Sequence, residues 1–166
     1  MPKGDAHKIK ILFLDIDGVL NNIRTKETFE DYVFVSDEKI LLLKQLVDKT
    51  DAKIVLSSSW RKGWRFKDQN SRCANEDVRL FEALKRKLSE YKIELMSYTK
   101  HFWQRGEEID EWLKSWQGEE IESFVILDDM ERHEFEPNSH RLVQTNISEG
   151  LTEKHVIMAI EMLNKK

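Results

Sequence analysis

The chain has 166 residues, of which 40% are apolar, a length and composition typical of one domain with its own hydrophobic core. These values exclude a disordered chain, and a net charge of -4 excludes binding of nucleic acid through overall charge, so any basic site must be local. A lone cysteine (Cys73), no signal-like segment and no apolar run long enough to span a membrane together predict one cytoplasmic domain over residues 1–166, without membrane partners.

Short apolar runs alternate with amphipathic segments along the chain. Strands are predicted at residues 9–16, 53–57, 93–96, 123–128 and 141–145. Helices are predicted at residues 36–50, 75–91, 106–116 and 152–163, with Ser36 and Thr152 as N-caps. Residues 18–35 are predicted to form a loop or a small β-flap, and residues 58–75 an irregular segment. This alternation predicts an α/β fold in which helices cover both faces of a mainly parallel sheet.

The first predicted strand ends in two carboxylates, Asp15 and Asp17, followed by Gly18. Residues two apart on an extended chain share a face, so these carboxylates lie close together at the strand end. They repel each other unless a proton or a cation is shared between them. A hard divalent cation with oxygen ligands is the natural occupant.

Two further predicted strands also end in polar groups. The second ends in Ser57, Ser58 and Ser59, and the fourth ends in Asp128 and Asp129. If these strands are neighbours of the first, their carboxyl ends meet at one edge of the sheet. Carboxylates gathered there require a cation, and Mg2+ suits them because it binds carboxylates, water and a substrate phosphate together. Hydroxyl and backbone N–H groups can hold phosphate oxygens, and a carboxylate can attack phosphorus, so the residues favour metal-assisted phosphoryl transfer.

Three motifs within residues 11–129 resemble the haloacid dehalogenase (HAD) superfamily. They are Phe13-Leu-Asp15-Ile-Asp17-Gly18-Val19, the apolar strand ending in Ser58, and Val125-Ile-Leu-Asp128-Asp129. Three further segments resemble the small HAD domain found in RNA-repair proteins and as stand-alone proteins: Leu56-Ser-Ser-Ser-Trp-Arg61, Arg105-Gly-Glu-Glu-Ile-Asp-Glu-Trp-Leu113 and Gly150-Leu-Thr152. The resemblance implies a Rossmann-like three-layer sandwich with a central five-stranded sheet. The short gaps at residues 18–53 and 62–100 imply a minimal cap or none.

The resemblance also implies a role for each acidic residue. Asp15 would be the nucleophile that forms an aspartyl-phosphate, and one of its oxygens would bind Mg2+. Asp17 would be the general acid and then the general base, and its backbone carbonyl would bind the metal. Asp128 would complete the metal shell, and Asp129 would be a ligand or would orient one.

The resemblance leaves two assignments open around the phosphate. Ser58 would hydrogen-bond the phosphoryl oxygens, although Ser57 or Ser59 could be the true counterpart. The cation of the third motif would be Arg105 or Lys100, and the Gly-x-x-Ile-x-x-Trp context favours Arg105 although lysine is commoner in the superfamily. Arg61 is the best candidate for an additional contact to the substrate phosphate. The basic and aromatic segment 60–67 could grip a phosphate and stack a base, or be an ordinary solvated loop.

These features predict a Mg2+-dependent phosphatase acting on a phosphomonoester, with a preference for nucleotide or nucleic-acid end phosphates. One alternative is a sugar-phosphate or deoxynucleotide phosphatase, and another is a non-catalytic HAD-like binding module. An open site can be completed by a flap or by a second subunit, so an oligomer is compatible with this prediction. Trp103, Trp112 and Trp116 are predicted to be packing residues rather than a base-stacking platform.

Overall fold

A computed structural model describes residues 6–69 and 75–165 of the chain. The strands are β1 (Lys8–Leu14), β2 (Thr28–Phe29), β3 (Tyr32–Val33), β4 (Lys53–Leu56), β5 (Leu95–Tyr98), β6 (Glu120–Asp128) and β7 (Leu142–Gln144). The helices are α1 (Asp37–Thr50), α2 (Arg61–Asp68), α3 (Asn75–Glu90), α4 (Arg105–Ser115) and α5 (Glu153–Asn164), and 3-10 turns occur at Arg132–Phe135 and Ser139–Arg141. None of the described helices is long and apolar enough to cross a membrane. Cys73 lies outside the described residues.

Five of the strands form one parallel sheet in the order β5-β4-β1-β6-β7, which confirms the predicted architecture. The central strand, β1, pairs with β4 on one side and with β6 on the other. Leu14, its last residue, lies opposite Leu56 of β4 and Leu127 of β6. The carboxyl ends of these three strands are therefore level, and the residues that follow them meet at one edge. Strands β2 and β3 form a separate small hairpin.

Alternation along β1 separates two hydrophobic cores, one on each face of the sheet. Leu12 and Leu14 belong to the larger core, together with apolar side chains of α1, α3 and α5. Ile11 and Phe13 belong to the smaller core, together with α4 and the 3-10 turn at Arg132–Phe135. The Phe13 ring packs edge-on against Trp112 of α4, with 5.5 Å between the ring centroids. The fold is thus a three-layer α/β sandwich, as predicted.

Helix α2 was missed, because residues 58–75 were predicted to be irregular and the described part of that segment contains a two-turn helix. Its sequence has little apolar periodicity, and contacts with α3 stabilise it instead. A Cβ atom on Gly63 would lie 2.0 Å from the carbonyl oxygen of Asp77, so only glycine allows the two helices to approach this closely. Trp64 stacks on Phe81 of α3 with 5.2 Å between the ring centroids. Residues 70–74 of the segment lie outside the described residues.

Strand β5 begins at Leu95, two residues later than predicted, because Ile93 belongs to the turn that caps the C-terminus of α3. The N–H of Ile93 donates to the carbonyl oxygen of Leu88 at 3.0 Å, and Lys92 has a positive φ of 59°. This left-handed residue and backward hydrogen bond are typical of a helix C-terminus. Ile93 is buried, as a strand residue would be. Its apolar character therefore could not show whether it lies in a strand or in the turn after a helix.

Candidate active site

The carboxyl edge of the sheet brings three carboxylates into one cluster. Asp15 directly follows β1, Asp128 ends β6, and Asp129 comes next in the chain; one oxygen from each lies within 4.8 Å of the others. The N–H of Asp15 donates to the carbonyl oxygen of Leu127 at 3.0 Å, which extends the ladder between β1 and β6 past the last strand residue. Asp15 is 7% exposed and Asp128 is fully buried. Strand register therefore fixes the backbone positions of the cluster, which we call the carboxylate triad.

Burial and mutual repulsion disfavour the charged forms of the triad. Burial raises the pKa of Asp15 well above its usual value, and the charge of Asp128 raises that pKa further. Burial likewise raises the pKa of Asp128, and burial together with the charge of Asp128 raises the pKa of Asp129. Arg105 acts in the opposite direction on the pKa values of both Asp15 and Asp128. The triad is therefore a site of concentrated negative charge that one arginine only partly compensates.

Arg105, the first residue of α4, is the cation beside the triad. Its Nη1 atom lies 3.8 Å from Asp15 Oδ1 and 3.5 Å from Asp128 Oδ2, and it has no hydrogen-bond partner among the described residues. Its Nε atom lies 3.5 Å from Glu108 Oε2, one helical turn further along α4. Lys100, the other predicted cation, is exposed, and its Nζ atom lies 3.4 Å from Glu111 Oε1. The structure thus brings Arg105, and not Lys100, next to the triad.

The triad has the donor set that a hard divalent cation requires. Asp128 Oδ1 accepts a hydrogen bond from the N–H of Met130, while the buried Oδ2 has no hydrogen-bond partner among the residues described. A buried carboxylate oxygen without a donor is costly unless a cation or a proton neutralises it. Gly18 allows Asp129 to pack closely, because a Cβ atom there would lie 2.1 Å from Asp129 Oδ2. Asp15, Asp128 and Asp129 therefore fit Mg2+ as oxygen ligands.

Asp17 was predicted to lie close to Asp15 on one strand face, but the structure places its side chain outside the triad. Strand β1 ends at Leu14 and the chain turns between Ile16 and Val19, so the alternation of a strand does not apply to Asp17. Asp17 is exposed, and two side-chain donors hold its carboxylate. Trp60 Nε1 donates to Asp17 Oδ2 at 3.0 Å, and Asn21 Nδ2 donates to Asp17 Oδ1 at 2.8 Å. Asn21 is fixed in turn, because its Oδ1 accepts a hydrogen bond from the N–H of Gly18 at 2.9 Å. The sequence analysis missed both Asn21 and Trp60. Trp60 lies within the motif at residues 56–61, and Asn21 lies two residues after the motif that ends at Val19. Only the folded structure shows that their side-chain donors bind the same carboxylate.

The serine segment after β4 lies beside the triad, and Arg61 supports its backbone. Ser58 is buried, and its Oγ accepts a hydrogen bond from the N–H of Trp60 at 3.2 Å. Ser57 is also buried, and its Oγ has no hydrogen-bond partner within the described part of the chain, whereas Ser59 is exposed. Arg61 Nη1 donates to the carbonyl oxygens of Ser57 and Ser58 at 2.9 and 3.1 Å. Arg61 thus orients the segment predicted to hold phosphate.

The three tryptophans predicted to be packing residues differ in their surroundings. Trp112 is buried and stacks on the half-buried Trp116 at a centroid distance of 5.0 Å, as expected of packing residues. Trp103 is 97% exposed, so its assignment as a packing residue was wrong. It precedes α4 in an irregular segment, whereas Trp112 lies within the helix and Trp116 directly follows it.

A cavity of about 450 Å3 opens beside Asp17. The β2–β3 hairpin contributes Tyr32 and Val33 to its wall, and α2 contributes Lys62. The predicted flap is therefore present as a two-stranded hairpin next to the site. It leaves Asp17 accessible to a substrate from solvent.

The substitution Asp15→Asn is expected to stabilise the metal-free protein at neutral pH by about 1 kcal/mol, as is common when an unfavourable functional group is removed. A carboxyl group with a raised pKa binds more protons in the folded state, so wild-type stability falls as pH rises through that pKa. The gain in free energy of unfolding that Asp15→Asn gives should therefore be present at neutral pH. It should vanish at low pH, where the Asp15 carboxyl group of the wild type is protonated in both the folded and the unfolded state. Urea unfolding in a chelator measures this difference.

The matched control is Asp48→Asn, because Asp48 is exposed on α1 and, among the described residues, forms an ion pair with Lys44 alone. This control should leave stability within about 0.5 kcal/mol of wild type, as is usual for surface substitutions. A loss of stability on Asp15→Asn substitution at neutral pH would contradict the account of the triad.

Comparison with known proteins agrees with the geometry of this edge. The family described as the HAD domain in Swiss Army Knife RNA repair proteins matches residues 11–156. No curated protein matches the chain significantly. The matched region extends from β1 into α5, so it contains the carboxylate triad, the serine segment and Arg105. The chain is therefore a member of the HAD superfamily and belongs to the family of HAD domains in Swiss Army Knife RNA repair proteins.

Proposed function

We propose that this protein is a Mg2+-dependent phosphatase that hydrolyses a phosphomonoester through an aspartyl-phosphate on Asp15. The observation that carries this proposal is the placement of one buried carboxylate cluster, one arginine and one accessible carboxylate at the same sheet edge. Membership of the HAD superfamily supports the same reaction class.

Asp15 is the proposed nucleophile. One of its oxygens attacks phosphorus, and the bond between phosphorus and the leaving oxygen breaks. Arg105 lies close enough to Asp15 and Asp128 to reduce their repulsion of an incoming phosphate. For this reason Arg105, and not Lys100, is the proposed cation of the third motif.

Asp17 is the proposed proton carrier. It gives its proton to the leaving oxygen in the first step and takes a proton from the attacking water in the second. In that second step water attacks phosphorus, the bond to the Asp15 oxygen breaks, and inorganic phosphate leaves. Trp60 and Asn21 hold the Asp17 carboxylate in one orientation, so its proton is delivered in a fixed direction. Asp17 is the proton carrier rather than a second nucleophile because its side chain lies outside the triad.

Asp15, Asp128, Asp129 and the backbone carbonyl of Asp17 are the proposed metal ligands. Bound Mg2+ would supply positive charge against the triad and the phosphoryl oxygens. The serine segment would receive the phosphoryl group, with Ser58 as the proposed hydrogen-bonding residue and Ser57 and Ser59 as its alternatives.

The proposed substrate is a nucleotide or nucleic-acid end phosphate. Two observations support this class: the family description refers to RNA repair, and the cavity beside Asp17 is open, with no cap domain over it in the part of the chain that the structure describes. An open site accepts a phosphate that projects from a larger molecule. We also propose that the protein is cytoplasmic and acts on phosphorylated substrates there.

The direct test is hydrolysis of an aryl phosphate and of 3′- and 5′-phosphorylated oligonucleotides in Mg2+ and in a chelator. We expect turnover only with the metal, and we expect Asp15→Asn to lower kcat by at least about a thousandfold because the nucleophile is lost. Asp48→Asn should leave kcat unchanged. Absence of turnover on every phosphomonoester, with Mg2+ still bound, would identify a binding module instead of an enzyme.

Trp60→Phe tests the positioning of Asp17. Loss of one hydrogen bond to the proton carrier should lower kcat about threefold to tenfold while KM changes little, given the usual net value of such a bond. The matched control is Trp116→Phe, because Trp116 Nε1 donates to the carbonyl oxygen of Glu119, away from the triad. A Trp60→Phe variant whose kcat equals that of wild type would show that this hydrogen bond does not assist proton transfer.

A further inference from the structure

A second cavity, of about 260 Å3, is lined in part by α2; we call it the α2 cavity. Arg61, Lys62 and Arg65 of α2 contribute three cationic side chains to its wall. Tyr98 of β5, Thr99 directly after it, and His101 also line the cavity. Every titratable side chain on this wall is thus basic or a phenol.

Of the three cationic side chains on α2 that line the cavity, Arg65 has its charge least neutralised by neighbouring carboxylates. Within the described residues, no carboxylate lies within ion-pair distance of its guanidinium, which stacks on the Phe66 ring at 5.1 Å. Its buried Nε atom has no hydrogen-bond partner in the described part of the chain. Lys62 pairs with Asp77 at 3.4 Å, but both side chains are largely exposed and such pairs are weak. Two cationic groups of the cavity are therefore available to an anion.

The neutral groups of the α2 cavity also suit an anion. Thr99 is fully buried, and its Oγ1 has no hydrogen-bond partner among the residues described. Burial and the hydrogen bond to Asp68 raise the pKa of Tyr98 to about 12, so its hydroxyl stays uncharged at neutral pH. By contrast, Asp17 and Asp77 both line the larger cavity, where a second negative group would be repelled.

Arg61 joins the α2 cavity to the proposed reaction centre. Its Nη1 holds the carbonyl oxygens of the serine segment, and its Nη2 donates to Glu108 Oε1 at 3.0 Å. Glu108 also faces Arg105, which lies beside Asp15. Ser59 and Lys62 line both the α2 cavity and the cavity beside Asp17, so the two cavities are adjacent.

We propose that the α2 cavity binds a second phosphate of the substrate, the one next to the phosphate that is hydrolysed. Arg65 and Lys62 supply the charge, and Thr99 supplies a hydroxyl donor. This inference rests on the proposed function and narrows its substrate class to bisphosphorylated nucleotides and polynucleotide ends. Isolated monophosphates would occupy only the reaction centre.

The test is calorimetric binding of a nucleoside 3′,5′-bisphosphate and of the matching 3′- and 5′-monophosphates to the Asp15→Asn protein in saturating Mg2+. We expect the bisphosphate to bind about tenfold more tightly than either monophosphate, the effect of about one charge-assisted contact. Adding Arg65→Met should reduce this ratio to about one, and adding Lys62→Met should reduce it about threefold. The matched control is Lys67→Met, because Lys67 lies on the same helix but pairs with Glu82 outside the cavity.

Equal binding of all three nucleotides would overturn the inference, as would a bisphosphate preference that persists in both the Arg65→Met and the Lys62→Met proteins. Because Lys62 is exposed, its variant provides a result even if Arg65→Met fails to fold. Turnover by the wild-type protein is measured separately. A bisphosphate preference without any turnover would contradict the proposed phosphatase activity and leave the second-phosphate site supported.

Discussion

Repulsion among three carboxylates at the end of the central strands is the constraint on which the rest of the site depends. Asp15 and Asp128 lie at level ends of paired strands, so the sheet itself holds them together. A buried, fully paired strand such as β1 cannot shift without exposing its apolar side chains on both faces. The two hydrophobic cores thus hold the carboxylates in an arrangement that their charges oppose.

Glu108 connects the groups that compensate this charge. It is buried on α4, and its Oε1 accepts hydrogen bonds from Arg61 Nη2 at 3.0 Å and from the N–H of Phe102 at 3.1 Å. Its Oε2 lies 3.5 Å from Arg105 Nε. One carboxylate therefore holds two arginines, one beside the triad and one beneath the serine segment. Removing it would leave the buried Arg61 and the partly buried Arg105 without their shared partner, which is more costly than losing a surface pair.

The sequence predicted those parts of the fold that depend on local pattern. Apolar runs bounded by polar residues predicted all five strands of the sheet, and the motif order predicted that Asp15, Asp128 and Asp129 would meet. Thr152 is confirmed as an N-cap, because its Oγ1 accepts from the N–H of His155. The strands and the N-cap could be predicted because each depends on residues a few positions apart. The meeting of the three carboxylates could be predicted because parallel strands bring their carboxyl ends to one edge of the sheet.

The remaining features depend on contacts between distant segments. Helix α2 is stabilised by the close approach that Gly63 allows against α3. Its two large apolar residues, Trp64 and Phe66, are two positions apart, which is not a helical spacing, so the sequence did not predict it. The contact between Trp60 and Asp17 joins residues 43 positions apart. The choice between Lys100 and Arg105 likewise depended on where α4 begins relative to the sheet edge. The residue types indicated the candidate site residues, and the packing of the chain determines which of these residues lie close together.

The central claim is that Asp15 carries the phosphoryl group during the reaction. The most direct measurement is rapid acid quenching of the enzyme mixed with a phosphomonoester and Mg2+, followed by mass spectrometry of the peptide that contains Asp15. The account predicts one phosphoryl group on Asp15, at higher occupancy in an Asp17→Asn variant because that variant lacks the base for the second step. Steady turnover with no phosphorylated Asp15 in either protein, or a phosphoryl group on another residue, would contradict it.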